Sequence, residues 1–279
     1  MRLILVLGLV LGFLFPAASA YAEPASILVC HPDEPVDQED AEAAIAAMLR
    51  VVERVGQWPE HSFHGRFSTR TAECRQLLAE KRPGFAILSL GLYLEQRHEH
   101  NLVPLAQPLV KGGSTERYRV VVQQGKYQSL EELRGKTLGG TVLEEPVFVS
   151  RVVFAGSPDP ADFFVLKPTR RLLRALRALD SGELDAVLLN GAQFDRLASM
   201  PLSKSVQAVF TSDELPLMGL AADKRRSTAK ERSRFTEALV GLCADEEGRK
   251  LCQLFGVEAF VPADPAAFEP MIKLWNRRR

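Results

Sequence analysis

Short apolar runs alternate with amphipathic stretches of helical period along most of this 279-residue chain, and that alternation limits the fold more than any other feature. Ser26–Cys30, Ser62–Phe67, Phe85–Leu88 and Leu102–Ala106 read as strands. Between them the spacing predicts a helix opened by Asp37 or Asp40 and running to Val55, with Ala44, Met48, Val51 and Val52 on its apolar face. A second helix, over Ala72–Lys81, takes its cap from Ser68 or Thr69, and a short third covers Gly91–His98. Another series starts near Gly112-Gly113, with strands at Tyr118–Gln123, Lys136–Gly139, Phe163–Leu166 and Asp185–Leu189. Its helices fall at Pro146–Ala155 and Arg170–Leu179, the latter capped by Thr169 and ended by Gly182. After Gln207–Phe210 the chain returns through Leu215–Ala221 and finishes in helices at Thr228–Cys243, Glu246–Phe255 and Pro265–Trp275.

Such alternation predicts an α/β fold with largely parallel sheets. The departure and return of the chain predict two lobes: a discontinuous one, 23–110 with 218–279, enclosing a continuous one, 111–217. Two crossings, Gln107–Gly113 and Leu215–Gly219, would join them. A cleft is then expected between the lobes, at the carboxyl ends of the strands, closing by a hinge movement.

The first 22 residues stand apart from this pattern. Arg2, the apolar run Leu3–Phe15 and the small-residue motifs Ala18-Ser19-Ala20 and Ala20-Tyr21-Ala22 have the layout of a secretory signal peptide. The run is shorter than the roughly 20 residues of a spanning helix, so export to the periplasm with cleavage near Ala22 is expected. The 35 basic and 35 acidic residues become 34 and 35 once Arg2 leaves with the leader. That balance gives no electrostatic reason to expect nucleic acid as a partner. Four cysteines then meet an oxidising compartment. Three pairings are open, with four buried thiols as the alternative. Cys243–Cys252 is favoured because Cys243 closes one helix and Cys252 lies on the next, leaving Cys30–Cys74 to tie the first strand to the second helix.

Four segments, in order along the chain, carry a family resemblance. Leu88-Ser89-Leu90-Gly91-Leu92-Tyr93 resembles a G-x-x-x-Y stretch after the third strand. Ser129-Leu130-Glu131-Glu132-Leu133-Arg134-Gly135-Lys136-Thr137 is similar to S-L-x-D-L-K-G-K-x. Asp180-Ser181-Gly182-Glu183-Leu184-Asp185-Ala186-Val187 is similar to L-x-x-G-x-x-D-A-x, and Phe260-Val261-Pro262-Ala263-Asp264 to a closing G-F-x-P-V-D-like segment. Together they resemble the phosphate/phosphite/phosphonate-binding family of ABC transporter substrate-binding proteins, of the type 2 periplasmic binding fold. The resemblance implies a monomeric, exported protein that clamps a small polar ligand between two lobes. It further implies delivery to a transporter permease, no covalent chemistry and no cofactor. An exported sensory or accessory module, passing its state to a membrane sensor, is the alternative.

The chain departs from that family at one place. Where the resemblance implies a Ser-Thr-Ser-Gly anion cradle at a helix start, the segment reads Gly139-Gly140-Thr141-Val142-Leu143-Glu144-Glu145-Pro146-Val147. Glu144 and Glu145 are expected either as the solvated first turn of a helix or as cleft acids selecting a cationic or hydroxyl-rich ligand, with Thr141 adding a hydroxyl. The resemblance makes Tyr93 a cleft tyrosine, with Ser89 beside it. Asn190 and Thr169 stand at strand ends as ligand contacts or helix caps, and His31 follows the first strand at the rim. Nothing resembles a nucleophile elbow, a zinc-peptidase helix or a phosphate loop. No metal site is expected, because His61 and His64 would point to opposite faces of a strand.

Overall fold

The computed structural model describes residues 24–31 and 38–277. The leader, the Pro32–Pro35 turn and the capping role of Asp37 lie outside the described residues. In chain order, β1 (Ala25–Cys30), α1 (Gln38–Val55), β2 (Phe63–Ser68), α2 (Thr71–Lys81), β3 (Phe85–Ile87), α3 (Leu90–Gln96) and β4 (Leu102–Leu109) come first. Next are β5 (Thr115–Glu116), β6 (Arg119–Gln123), β7 (Thr137–Gly140), α4 (Pro146–Phe148), α5 (Pro160–Phe163), β8 (Val165–Pro168), α6 (Leu172–Ser181), β9 (Ala186–Leu189), α7 (Gly191–Asp195) and β10 (Val206–Thr211). The chain closes with β11 (Leu215–Pro216), β12 (Leu220–Asp223), α8 (Ala229–Gly241), α9 (Glu246–Phe255), β13 (Ala259–Pro262) and α10 (Pro265–Asn276).

Among the described residues these strands form a six-stranded sheet, β13-β4-β12-β3-β1-β2, and a five-stranded sheet, β10-β6-β9-β7-β8. A small antiparallel ribbon of β5 and β11 lies where the chain passes between them. The expectation of largely parallel sheets holds only along one side of each. β2, β1 and β3 run parallel, as do β8, β7 and β9. By contrast β12 enters antiparallel between β3 and β4, and β6 pairs antiparallel with both β9 and β10. The cause is the double passage: β12 comes back from the other sheet, without the helical crossover that makes successive strands parallel.

Local sequence explains the elements. Along α1, Ala41, Ile45, Met48, Leu49 and Val52 recur at helical spacing and are buried against the first sheet. On α6, Leu172, Ala175, Leu176 and Leu179 do the same under the second, each of the larger side chains contributing about 2 kcal/mol. Gly182, at φ 84°, ends α6 in a left-handed conformation that costs a Cβ-bearing residue strain. Two starts differ from expectation. Helix α2 begins after Arg70 with no side-chain cap, Ser68 instead accepting from the Arg70 N–H. Helix α6 begins after Arg171, so Thr169 is not its cap.

Disulfides Cys30–Cys74 and Cys243–Cys252 close the favoured pairings, with Cα atoms 5.9 and 5.8 Å apart. One apolar cluster runs through both sheets, from Leu28, Ala86 and Leu88 to Val120, Leu138 and Leu188. Its middle is Phe148 and Val149 from the second unit and Tyr93, Phe268 and Met271 from the first. Helix α10 lies across this seam: Phe268 meets Tyr93 edge-on at 5.6 Å, and the Trp275 carbonyl accepts from Arg151 at 2.5 Å.

Candidate functional site

Strand ends build the site. β7 delivers Thr141, β9 delivers Asn190, β8 delivers Thr169, and β3 leads to Ser89 of the other sheet. Gly140 makes the approach possible. Its φ is 139°, and a Cβ there would meet the Leu188 carbonyl oxygen at 2.5 Å, so only glycine lets β7 lie this close to β9.

Two of these residues, Asn190 and Thr141, join with Gln193 in one buried hydrogen-bonded group. The Asn190 side chain accepts from the Gln193 N–H at 2.8 Å, completing a capping box on α7. The Gln193 side chain then donates to Thr141 Oγ1 at 2.8 Å. Beside them Glu116, on the β5–β11 ribbon, accepts from the Gly191 N–H at 2.9 Å and from the Tyr118 hydroxyl at 3.1 Å. Burial raises the Glu116 carboxyl above the ordinary range, and the two hydrogen bonds offset that only in part. Thr169 donates its N–H to the Gly140 carbonyl, while its hydroxyl oxygen is buried without a partner among the described residues.

Glu145 is where the structure corrects the solvated-turn reading. Pro146 does open α4, but the Glu145 side chain is only 5% exposed. It reaches across to the other unit, accepting from the Ser89 hydroxyl at 2.9 Å. Ser89 Oγ also accepts the Leu92 N–H and so caps α3. Gly91 provides the clearance, since a Cβ there would stand 2.5 Å from Glu145 Oε1. A carboxylate of one unit is therefore held at the first turn of a helix of the other. Glu144 remains partly exposed beside it.

The remaining candidates fall apart from this group. Tyr93 is 3% exposed, its ring spent on Phe268, and burial pushes its hydroxyl pKa up. His31 is exposed at the end of β1. Among the described residues no group of three or more His, Cys, Asp or Glu is placed to hold a metal ion, and no helix is long and apolar enough to cross a membrane. Two members of the site carried weaker signals in the sequence. Gln193 sits at the third position after Asn190, a capping-box spacing visible in N-x-x-Q, whereas Glu116 lies on a two-residue strand with no pattern of its own.

A family model described as the periplasmic substrate-binding protein of phosphonate ABC transporters matches residues 35–268. No curated protein sequence matches. Among solved structures, a binding protein component of an ABC phosphonate transporter from Pseudomonas aeruginosa superposes with a TM-score of 0.70 at 15% identity, over 91% of this chain and 86% of that one. PhnD1 from Prochlorococcus marinus in complex with methylphosphonate gives 0.69 at 12%, over 90% and 97%. An ancestral arginine-binding protein bound to arginine gives 0.54 at 16%, over 84% and 98%. The fold is the two-lobed type 2 periplasmic binding fold, and the chain belongs to the phosphonate-binding family of ABC transporter periplasmic substrate-binding proteins.

Proposed function

We propose that this protein captures a small cationic or hydroxyl-rich solute, rather than a phosphonate, and hands it to a membrane permease without covalent chemistry. In this reading the leader is removed near Ala22, and lobes 23–110 with 218–279 and 111–217 hinge about the β5–β11 ribbon. The observation that carries it is the Glu145 carboxylate lodged against Ser89. Where the resemblance implies hydroxyl donors for an oxyanion, this wall presents carboxylate oxygens, which accept from an amine or a polyol but not from an oxyanion. Thr141, Asn190, Gln193 and Thr169 supply further polar atoms on one wall, with Glu116 and Glu144 as additional acids. Tyr93 backs the wall rather than touching the guest, and His31 stands at its edge.

Thermal denaturation across a panel of amines, amino acids, polyols and alkylphosphonates tests the reading. Amines or polyols should raise the melting temperature, and Thr141→Val or Glu145→Gln should abolish that rise. Stabilisation by methylphosphonate alone would overturn it.

A second reading, an exported sensory module that signals to a membrane partner, is favoured by one observation: the apolar cluster is continuous across both sheets, as in a lobe pair already shut. Solute-independent scattering profiles, with solute-dependent binding to a membrane protein, would select it.

A further inference from the structure

At the foot of the six-stranded sheet, away from Glu145 and Thr141, lies a cavity of about 380 Å³. Three chain turns build it: the end of α2 at Arg82, the turn after α3 carrying Glu99 and His100, and the β12–α8 turn carrying Asp223, Arg225 and Arg226. Three arginines line it against two acids, the buried Asp223 and the exposed Glu99. Asp223 is 4% exposed, and its carboxylate accepts the Arg225 N–H at 2.8 Å and pairs with the Arg225 guanidinium at 3.4 Å. That guanidinium is held on its other side by the Glu99 carbonyl, at 2.6 Å. Arg226 has no side-chain partner among the described residues, and Arg82 uses only its Nε, on the Ala79 carbonyl. An adjoining groove adds Lys224.

His100 supplies the independent sign. It lines the cavity, is 8% exposed, and its Nε2 is buried with no hydrogen-bond partner among the described residues. Imidazole nitrogens either donate or accept, and a buried one left without a partner is costly. Two underused guanidiniums and an unsatisfied imidazole nitrogen, in a lining whose three arginines outnumber its two acids, suit a ligand rich in acceptor oxygens, which guanidinium forks bind through paired hydrogen bonds.

We propose that this cavity is a second binding site, for a small multivalent oxyanion of the phosphate or polycarboxylate class. The site does not depend on what the interlobe cleft binds. Titration calorimetry of the whole mature protein with inorganic phosphate and with citrate, at low ionic strength, tests it. Saturable binding is expected, weakened at least tenfold by Arg226→Glu and by Arg82→Glu, restored in part by Arg226→Lys, and unchanged by Glu145→Gln. Both arginines are exposed, so unchanged circular-dichroism melts separate lost binding from lost folding. Vesicles of phosphatidylglycerol distinguish the source: sedimentation with them that phosphate displaces and Arg226→Glu abolishes assigns the anion to a lipid headgroup, and its absence assigns a free anion. No heat with either anion, binding insensitive to both arginine reversals, or binding lost in Glu145→Gln would each overturn the proposal.

Discussion

Replacing Gly91 by alanine should open the protein. Alanine is the better helix former by about 1 kcal/mol, and α3 on its own gains from the change. The added methyl, however, would stand 2.5 Å from Glu145 Oε1, 2.8 Å from Glu145 Cδ and 3.0 Å from Phe148 Cβ, all belonging to the other unit. Glu145 can retreat only by giving up Ser89, and the Phe148 Cβ is fixed to its backbone. Overpacking of this kind costs about 1–3 kcal/mol, and the cost exists only while the units touch. The ratio of closed to open molecules should therefore fall about five- to 150-fold, at 1.4 kcal/mol per factor of ten. Small-angle scattering of the ligand-free protein reads the result as a larger radius of gyration, with secondary structure unchanged by circular dichroism. A Gly91→Ala protein with wild-type scattering and an equal or higher melting temperature would refute the contact between Gly91 and Glu145.

Asp185 provides a pH test. Burial acts to raise its pKa from 3.8, but hydrogen bonds from the Tyr127 hydroxyl, the Thr137 N–H, Lys126 and the Thr137 hydroxyl together hold it well below. A depressed carboxylate stabilises fully above its unfolded pKa and loses that contribution as pH falls through the folded one. Asp185→Asn should thus cost about 3 kcal/mol at pH 7 and flatten the acid limb of the melting curve below pH 4. Its partner Tyr127 is pushed up to about 12 by burial and by Asp185, so stability should also decline from pH 10 to 12 in the wild type and less in the variant. For the disulfides, residues 44 apart enclose a longer loop than residues 9 apart. Replacing Cys30 and Cys74 by serine should cost roughly 4 kcal/mol by loop-entropy reasoning, against under 3 for Cys243 and Cys252, measured by denaturant unfolding. Gly140→Ala should collapse the second sheet, because its methyl would strike the Leu188 carbonyl; a soluble variant with a wild-type melting temperature would contradict that geometry.

Elements were legible where a period or a stop residue spoke for them. The leucine stripe of α6 and its Gly182 stop, and the capping residues of α8 and α9, follow from local physics alone. Strand direction was not legible, since β12 and β6 owe their antiparallel entry to a passage between sheets rather than to their own residues. The site divides the same way. Asn190 and Thr141 were visible as polar residues following apolar strands. Glu145 was visible as an acid, but its destination was not, because Ser89 is 56 residues away and on the other sheet. Glu116 gave no sign, its carboxylate being placed by the Gly191 N–H and the Tyr118 hydroxyl. The surroundings of Tyr93 were not legible either, because Phe268, which lies edge-on to its ring, comes from α10 at the far end of the chain.

Native mass spectrometry of protein freshly released from the periplasm addresses the guest directly. A co-purifying amine or polyol, present on the wild type and absent from Glu145→Gln, is the expected result. An alkylphosphonate retained equally by both proteins would contradict the account.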